Sequence, residues 1–420
     1  MAIIVQKYGG TSVGTPERMR AVARRIVTTA DAGNSVVAVV SAMGDFTDEL
    51  IELAVQIDSE PPEREMDMLL ATGEQVSIAL LAMAIHAAGR RAISFTGPQV
   101  GIVTDHGYTK AKILELRVDR LRAALDDGQI VIVAGFQGTT PDGQITTLGR
   151  GGSDTTAVAL ASGIGADMCE IYTDVEGVYT ADPRVVPDAR KIEEISYEAM
   201  LELAASGAGV LNLRAVEFAR NHGVVIGCRS SFTDSPGTIV KEADDFMEQA
   251  IISGVTCDAS EAKVTIRDVP DRPGVAASVF TRMAEGNVNV DMIIQNISEA
   301  GTTDMSFTVP EIDLPRARRI VDAVVAELGA REWVVDESIA KISLIGAGMK
   351  THPGIAAQMF RALSEAGVNI DLISTSTIRV TCVVGGADAD TAVRALHASF
   401  GLADDEITIE SVSGCGGGDE

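Results

Sequence analysis

The chain has 420 residues, of which 46% are hydrophobic, and a formal net charge of −26. At about 100–200 residues per domain this length gives two or three domains and a substantial core. So acidic a chain lacks the basic face of a nucleic-acid binder, but a locally basic pocket for small anions stays open, with Lys7, Arg150, Arg184, Lys191 and Arg229 as its candidates.

In chain order, the run AIIVQ reads as a strand, and Lys7 interrupts it too early for a signal peptide. It leads into KYGGTSVG, Lys7 to Gly14, a glycine turn with its own lysine, and then a helical segment at Glu17–Thr29. A buried strand is expected over 36–44, followed by a helix at Met68–Ala88. Within that helix the block IALLAMAIHAAG, Ile78 to Gly89, is too short to span a bilayer and reads as buried, so a soluble, cytoplasmic protein is expected. Further apolar runs at 129–138, 166–175 and 224–232 end in polar or glycine-rich loops, and a helix at Asp154–Gly163 lies between them. Near-continuous apolar strands alternating with helices predict an α/β fold, a mostly parallel sheet sandwiched by helices. Ligands in such folds sit beyond the carboxyl ends of the strands.

The stretch LGRGGSDTTA, Leu148 to Ala157, is the most informative in the chain. Its glycines let backbone N–H groups approach a ligand, and the helix that follows offers unpaired donors and a positive dipole end. Arg150 adds a planar fork for a carboxylate or phosphate. With the lysine-bearing turn at residues 7–14, this makes two anion cradles in one domain, the arrangement needed by a phosphoryl donor facing an anionic acceptor.

The acidic stretch KEADDFMEQ, Lys241 to Gln249, marks a domain boundary, and an internal repeat follows. PGVAASVFTRMAEGNVNVDMI (273–293) and PGIAAQMFRALSEAGVNIDLI (353–373) align without gaps and are identical at ten of 21 positions. Each copy follows a strand carrying Lys263 or Lys341, so a duplicated small βαβ-type domain is expected. The final GCGGGDE reads as a disordered tail. Five scattered cysteines without a CxxC pair indicate reduced thiols, not a zinc site or a disulfide frame.

In order, KYGGTSVG, VVSAMG, LLATGEQVS, FTG, AGFQG, TTLGRGGSDTTA, IYTDVEGVYTADPR and RSSF resemble an aspartate kinase of the amino-acid kinase superfamily, of actinobacterial type. The repeat resembles the paired ACT domains with which such enzymes sense amino acids. The resemblance covers almost the whole chain and implies a catalytic domain over 1–245 and ACT domains over 263–338 and 339–415. The second could also take in a strand within 250–262. It implies transfer of the ATP γ-phosphoryl group to the β-carboxylate of L-aspartate, giving 4-phospho-L-aspartate and ADP, with Mg²⁺ arriving on the nucleotide and no dedicated protein metal site.

The resemblance also assigns roles. Lys7 and Asp154 stand at the catalytic positions, and Gly9 and Gly10 lie against the phosphates. Arg150 would hold the aspartate α-carboxylate and Glu74 its ammonium, with Ser41, Thr47, Gly151 and Ser153 lining the same substrate site. Thr173, Asp174, Tyr179, Asp182 and Arg184 would surround the nucleotide. Asp271, Gly274, Gln295, Asn296, Ile297, Ser376 and Thr377 fall in the effector segments for lysine or threonine, and pairing of ACT domains implies a homo-oligomer.

Two departures stand out. Gly209, in GAGVL, replaces a lysine common in the family before the RAVE helix, with Lys191, Arg184 or Arg229 as possible substitutes. ISTSTIRVT stands where relatives read ISTSEIRIS, so Thr377 replaces a glutamate and weakened feedback is expected. Met247 stands where related enzymes can begin a separate regulatory chain. Two rivals stay open: a superfamily kinase acting on glutamate or a related acid, and an ATP-binding amino-acid sensor without turnover.

Overall fold

A computed structural model describes residues 1–243, 251–295, 301–347, 349, 352 and 354–404. Met247, Asn296, Ile297 and the tail GCGGGDE lie outside the described residues. The chain divides into two compact units. The first comprises residues 1–179, 191–205 and 209–247, and the second residues 180–190, 206–208 and 248–420.

The first unit is built on an eight-stranded sheet. Its spatial order is Glu194–Ser196, Thr238–Lys241, Ile226–Ser230, Met168–Thr173, Ile3–Tyr8, Ser35–Val40, Ile130–Ala134 and Ala92–Phe95. Every neighbouring pair is parallel except Ile226–Ser230 with Thr238–Lys241. The predicted strands therefore exist but stop earlier than the apolar runs, and the residues beyond them form the loops. From Ile3–Tyr8 the chain steps to Ser35–Val40 on one side and later returns to Met168–Thr173 on the other. This change of direction opens a crevice at the carboxyl end of the first strand. Val36–Val40 are almost wholly buried, which is why this strand reads as an unbroken apolar run.

Helices Pro16–Asp31 and Glu63–Ala87 pack on one face around Tyr8, Ile26, Leu81 and Ile132. Thr15 caps the first of these by accepting from the Arg18 N–H. The second begins five residues before the helix expected over Met68–Ala88. It is one 25-residue helix, long and apolar enough to cross a membrane by length and composition alone. Only one side is buried, through Leu70, Ile78, Leu81 and Ile85, while Val76, Leu80 and Met83 are exposed. Helix Gly152–Ile164 is buried along most of its length, through residues such as Ala157–Ala161. A small sheet of Ile113–Leu116, Ile102–Thr104, Gln137–Thr139 and Ile145–Thr147 completes the unit.

The second unit holds two antiparallel four-stranded sheets. One orders Ile293–Gln295, Thr302–Pro310, Glu261–Pro270 and Glu332–Asp336, with helices Val275–Glu285 and Leu314–Leu328. The other orders Ile251–Asp258, Ile339–Ala347, Arg379–Gly385 and Leu372–Thr375, with helices Gly354–Glu365 and Ala389–Ser399. The simple βαβ expectation is thus corrected: each repeat runs β-α-β-β-α, and its strands pair antiparallel. The second repeat takes its outer strand, Ile251–Asp258, from before the first. The repeats also exchange equivalent ion pairs, Lys263 to Asp371 at 2.5 Å and Lys341 to Asp291 at 2.7 Å. Met292, Ile339 and Val383 form a small apolar cluster of their own.

Candidate active site

Strand alternation places Lys7 on one face of the sheet and Gln6 and Tyr8 on the other. Lys7 Nζ lies 2.6 Å from Asp154 Oδ1 in a pair only 12% and 10% exposed. Asp154 sits in the first turn of helix Gly152–Ile164, where the dipole favours a carboxylate. Beneath the pair are the buried thiols of Cys169 and Cys228. Burial first, and the Asp154 charge second, raise both, Cys228 to about 12, so they stay neutral. With no ionised thiol below it, the Lys7 ammonium has Asp154 as its anionic partner among the described residues.

The loop after Ser35–Val40 folds over the first glycine turn. The Gly44 N–H donates to Gly10 O, and a Cβ on Gly10 would meet Ala42 O and Gly44 O at 2.8 Å. The space above Gly10 is therefore taken by the SAMG loop, whereas at Gly9 the nearest atom to such a Cβ is Lys7 Nζ, at 3.5 Å. The Ser41 hydroxyl donates to Ser153 Oγ at 3.0 Å, joining the SAMG loop to the start of the buried helix.

Glu74 is buried in helix Glu63–Ala87, its carboxylate accepting from the Ala42 N–H at 3.1 Å through Oε1. Its Oε2 is buried and has no hydrogen-bond partner among the described residues. Burial raises its pKa from 4.5 to about 7 against the lowering effect of backbone hydrogen bonds. A buried carboxylate in this state accepts a cation readily. Arg150 is the opposite case: its side chain is 88% exposed and loosely paired to Asp48 at 3.4 Å. Thr47 is half-buried at the start of helix Phe46–Ile57, next to Asp48.

The loop that carries Arg150 is held by residues the sequence reading missed. Gly151 adopts φ 73°, and a Cβ there would lie 2.1 Å from Asn212 Nδ2. Asn212 donates to Arg150 O and also caps helix Leu213–His222 by accepting from the Ala215 N–H. Arg214 donates to Leu148 O at 2.9 Å and Ala111 O at 2.7 Å. Wholly buried Asp67 accepts from the Thr109 and Thr147 N–H groups and the Thr147 hydroxyl. Ser12 and Ser231 bring their hydroxyls to 2.5 Å across the neighbouring edge. The only sequence signals for these were a charged residue inside an apolar helix (Asp67) and an Asn before a helix (Asn212).

Thr173 ends the strand next to the first and Asp174 follows it, with the Thr173 hydroxyl on Asp174 Oδ1 at 3.0 Å. Tyr179 is half-buried and pairs with Lys191 as an isolated bridge. Asp182 and Arg184 belong to the second unit, where Asp182 accepts from the Arg184 guanidinium at 2.7 Å. One expectation fails. Arg229 Nε lies 3.1 Å from Glu170 Oε1, and Glu170 also accepts from Gln6. Arg229 is thus on the sheet face away from Lys7 and neither joins a basic pocket there nor stands in for the lysine missing at Gly209. Lys191 donates to Ser235 Oγ at 2.6 Å. Gly209 itself has φ 64°, a left-handed conformation that disfavours a lysine. Of the effector segments, Asp271, Gly274, Gln295, Ser376 and Thr377 are exposed.

The Amino acid kinase family profile matches residues 2–228, and the ACT domain profile matches 267–324 and 342–400. A protein named Aspartokinase from Mycolicibacterium smegmatis is 56% identical over 99% of this chain and 100% of its own length. One of the same name from Mycobacterium tuberculosis is 52% identical over the same shares. Among solved structures, E. coli aspartokinase III in complex with aspartate and ADP aligns with TM-score 0.80 and 26% identity, over 94% of this chain and 99% of that one. The chain belongs to the amino acid kinase family, within its aspartokinase branch, and is an ATP-dependent kinase that carries ACT domains.

Proposed function

We propose that this enzyme transfers the γ-phosphoryl group of ATP to the β-carboxylate of L-aspartate, forming 4-phospho-L-aspartate and ADP. The observation that carries this reading is Glu74: a buried carboxylate with an unpartnered oxygen, tied to the same SAMG loop that covers the Lys7 turn. A site that only bound phosphates would have no use for it, whereas an amino-acid substrate brings an ammonium. Arg150, largely exposed and weakly paired, takes the α-carboxylate, and Ser41, Thr47 and Ser153 with the Gly151 backbone complete the substrate contacts.

The acceptor is ionised near neutral pH, with an ordinary pKa of about 3.9, so no general base is needed. The barrier lies in bringing two anions together, and positioning with charge neutralisation lowers it. Lys7 neutralises the transferring phosphoryl group while Asp154 aims it, and the backbone at Gly9 and Gly10 shapes the turn. Thr173, Asp174, Tyr179, Asp182 and Arg184 take the nucleotide. Among the described residues no three His, Cys, Asp or Glu side chains gather as a metal cage. In this reading Mg²⁺ arrives on the nucleotide and would be held chiefly by phosphate oxygens and water.

In this reading the catalytic domain spans 1–245 and the ACT domains 263–338 and 339–415, the latter drawing on strand 250–262. The enzyme works in the cytoplasm as a homo-oligomer assembled through ACT domains. Lysine and threonine act through the segments at Asp271, Gly274, Gln295, Asn296, Ile297, Ser376 and Thr377, with feedback weakened because Thr377 has no carboxylate for an effector ammonium. An ADP-release assay with L-aspartate, L-glutamate and no acceptor tests the substrate, and lysine and threonine titrations test the feedback. Turnover with glutamate equal to that with aspartate would reject the substrate assignment, and tight concerted inhibition would reject weakened feedback.

A further inference from the structure

The segment 180–190 leaves the first unit after Tyr179 and returns at Lys191. Its two legs pair as a short hairpin: the Ile192 N–H donates to Val178 O, the Thr180 N–H to Arg190 O and the Arg190 N–H to Thr180 Oγ1. The rest of the segment is part of the second unit's core, where Ala181 and Val186 pack with Ile252, Val255, Phe400 and Leu402. The Val255 N–H donates to Thr180 O at 2.8 Å, and Arg394 Nε donates to Val185 O at 3.0 Å.

One polar contact in this seam has no need to exist for packing alone. His397, on helix Ala389–Ser399 and 2% exposed, places Nε2 3.0 Å from Thr180 Oγ1, and Thr180 is 1% exposed. Thr180 Oγ1 accepts from the Arg190 N–H and keeps its own proton, which it can donate to His397 Nε2. That requires a neutral ring with its proton on Nδ1. Threonine to histidine is a directional bond between a helix of the second ACT repeat and the residue next to Tyr179.

We propose that His397 is a positioning residue for the nucleotide, fixing through Thr180 the hairpin that carries Tyr179. The proposal rests on the reading above that Tyr179 and the segment after it contact ATP.

The test uses the full-length enzyme and the variants Thr180→Val, His397→Ala, His397→Gln and Tyr179→Ala, with KM for ATP, KM for aspartate and kcat measured for each. Thr180→Val keeps the side-chain shape and removes only the hydroxyl, so it remains informative if His397→Ala does not fold. Thr180→Val and His397→Ala should raise the ATP KM at least fivefold, with kcat and the aspartate KM within twofold. Gln places an acceptor near the lost Nε2, and His397→Gln should return the ATP KM to within twofold of the parent. An unchanged ATP KM in Thr180→Val and His397→Ala, while Tyr179→Ala raises it, overturns the positioning role and leaves the nucleotide assignment standing. An unchanged ATP KM in Tyr179→Ala overturns that assignment, and the inference with it. Parallel loss in all three constants marks a merely structural contact and likewise overturns the proposal.

Discussion

Replacing Glu74 by glutamine removes a charge from a buried position at almost constant volume, and its effect on pH dependence follows from the structure. The unfolded chain releases this proton at the ordinary 4.5, the folded chain near 7. Between these values the folded state holds the extra proton. The stability linked to Glu74 is therefore full below pH 4.5 and falls as pH rises to about 7. At about 1.36 kcal/mol per pH unit the loss amounts to about 3 kcal/mol, the Ala42 N–H having already reduced the shift that burial alone would give. A substrate ammonium against Oε2 restores the balance, so binding needs the ionised form. The account predicts that kcat/KM for aspartate rises with unit slope up to about pH 7 and is level above it. In Glu74→Gln that slope should vanish and the aspartate KM should rise about 10- to 150-fold, the worth of a charged hydrogen bond at about 1.5–3 kcal/mol. The ATP KM should not move, and the variant should be more stable than the parent at pH 8 in urea unfolding. ADP release measured from pH 5.5 to 9 gives the profile. A variant that keeps the slope and an aspartate KM within twofold of the parent would refute the reasoning.

Lys7→Met should lower kcat by about 10²–10³, the cost of one lost donor to a developing charge, with the ATP KM changed far less; single-turnover ADP formation checks this. Gly151→Ala puts a Cβ into Asn212 at a left-handed backbone position, so the loop must shift; a displaced Arg150 should raise the aspartate KM about 10- to 100-fold, read by steady-state kinetics. Lys341→Met leaves Asp258, Glu261 and Asp291 around a site that has lost its ammonium, and should destabilise the second unit by about 3–5 kcal/mol in chemical denaturation. Thr377→Glu should lower the lysine or threonine concentration for half inhibition about tenfold, as one charge-assisted hydrogen bond implies; an unchanged inhibition curve rejects that role.

The strand and helix alternation of residues 1–240 was legible because buried parallel strands need unbroken apolar runs, as Val36–Val40 illustrate. The Arg150 loop was legible because three glycines with Arg and Asp in ten residues have few structural uses. What supports it was not. Asn212, Arg214 and Asp67 act on residues 42 to 103 positions away, and such pairings leave no periodicity. Arg229 was misplaced for a related reason. Alternation fixes which residues share a face within one strand, but only the register of Ile226–Ser230 against Met168–Thr173, and of that strand against Ile3–Tyr8, puts Arg229 opposite Lys7. The transfer of segment 180–190 to the second unit was hidden because its apolar residues Ala181, Val185, Val186 and Ala189, broken by two prolines, carry no periodic core signal.

On the proposed function, Lys7, Asp154, Glu74 and Arg150 together phosphorylate a free amino-acid side chain. The most direct measurement incubates the enzyme with ATP, Mg²⁺ and L-aspartate, traps any acyl phosphate with hydroxylamine, and quantifies hydroxamate beside ADP. Equal amounts of aspartyl hydroxamate and ADP, dependent on aspartate and lost in Lys7→Met, are predicted. ADP release without hydroxamate, or no turnover by folded enzyme that binds ATP, would contradict the account.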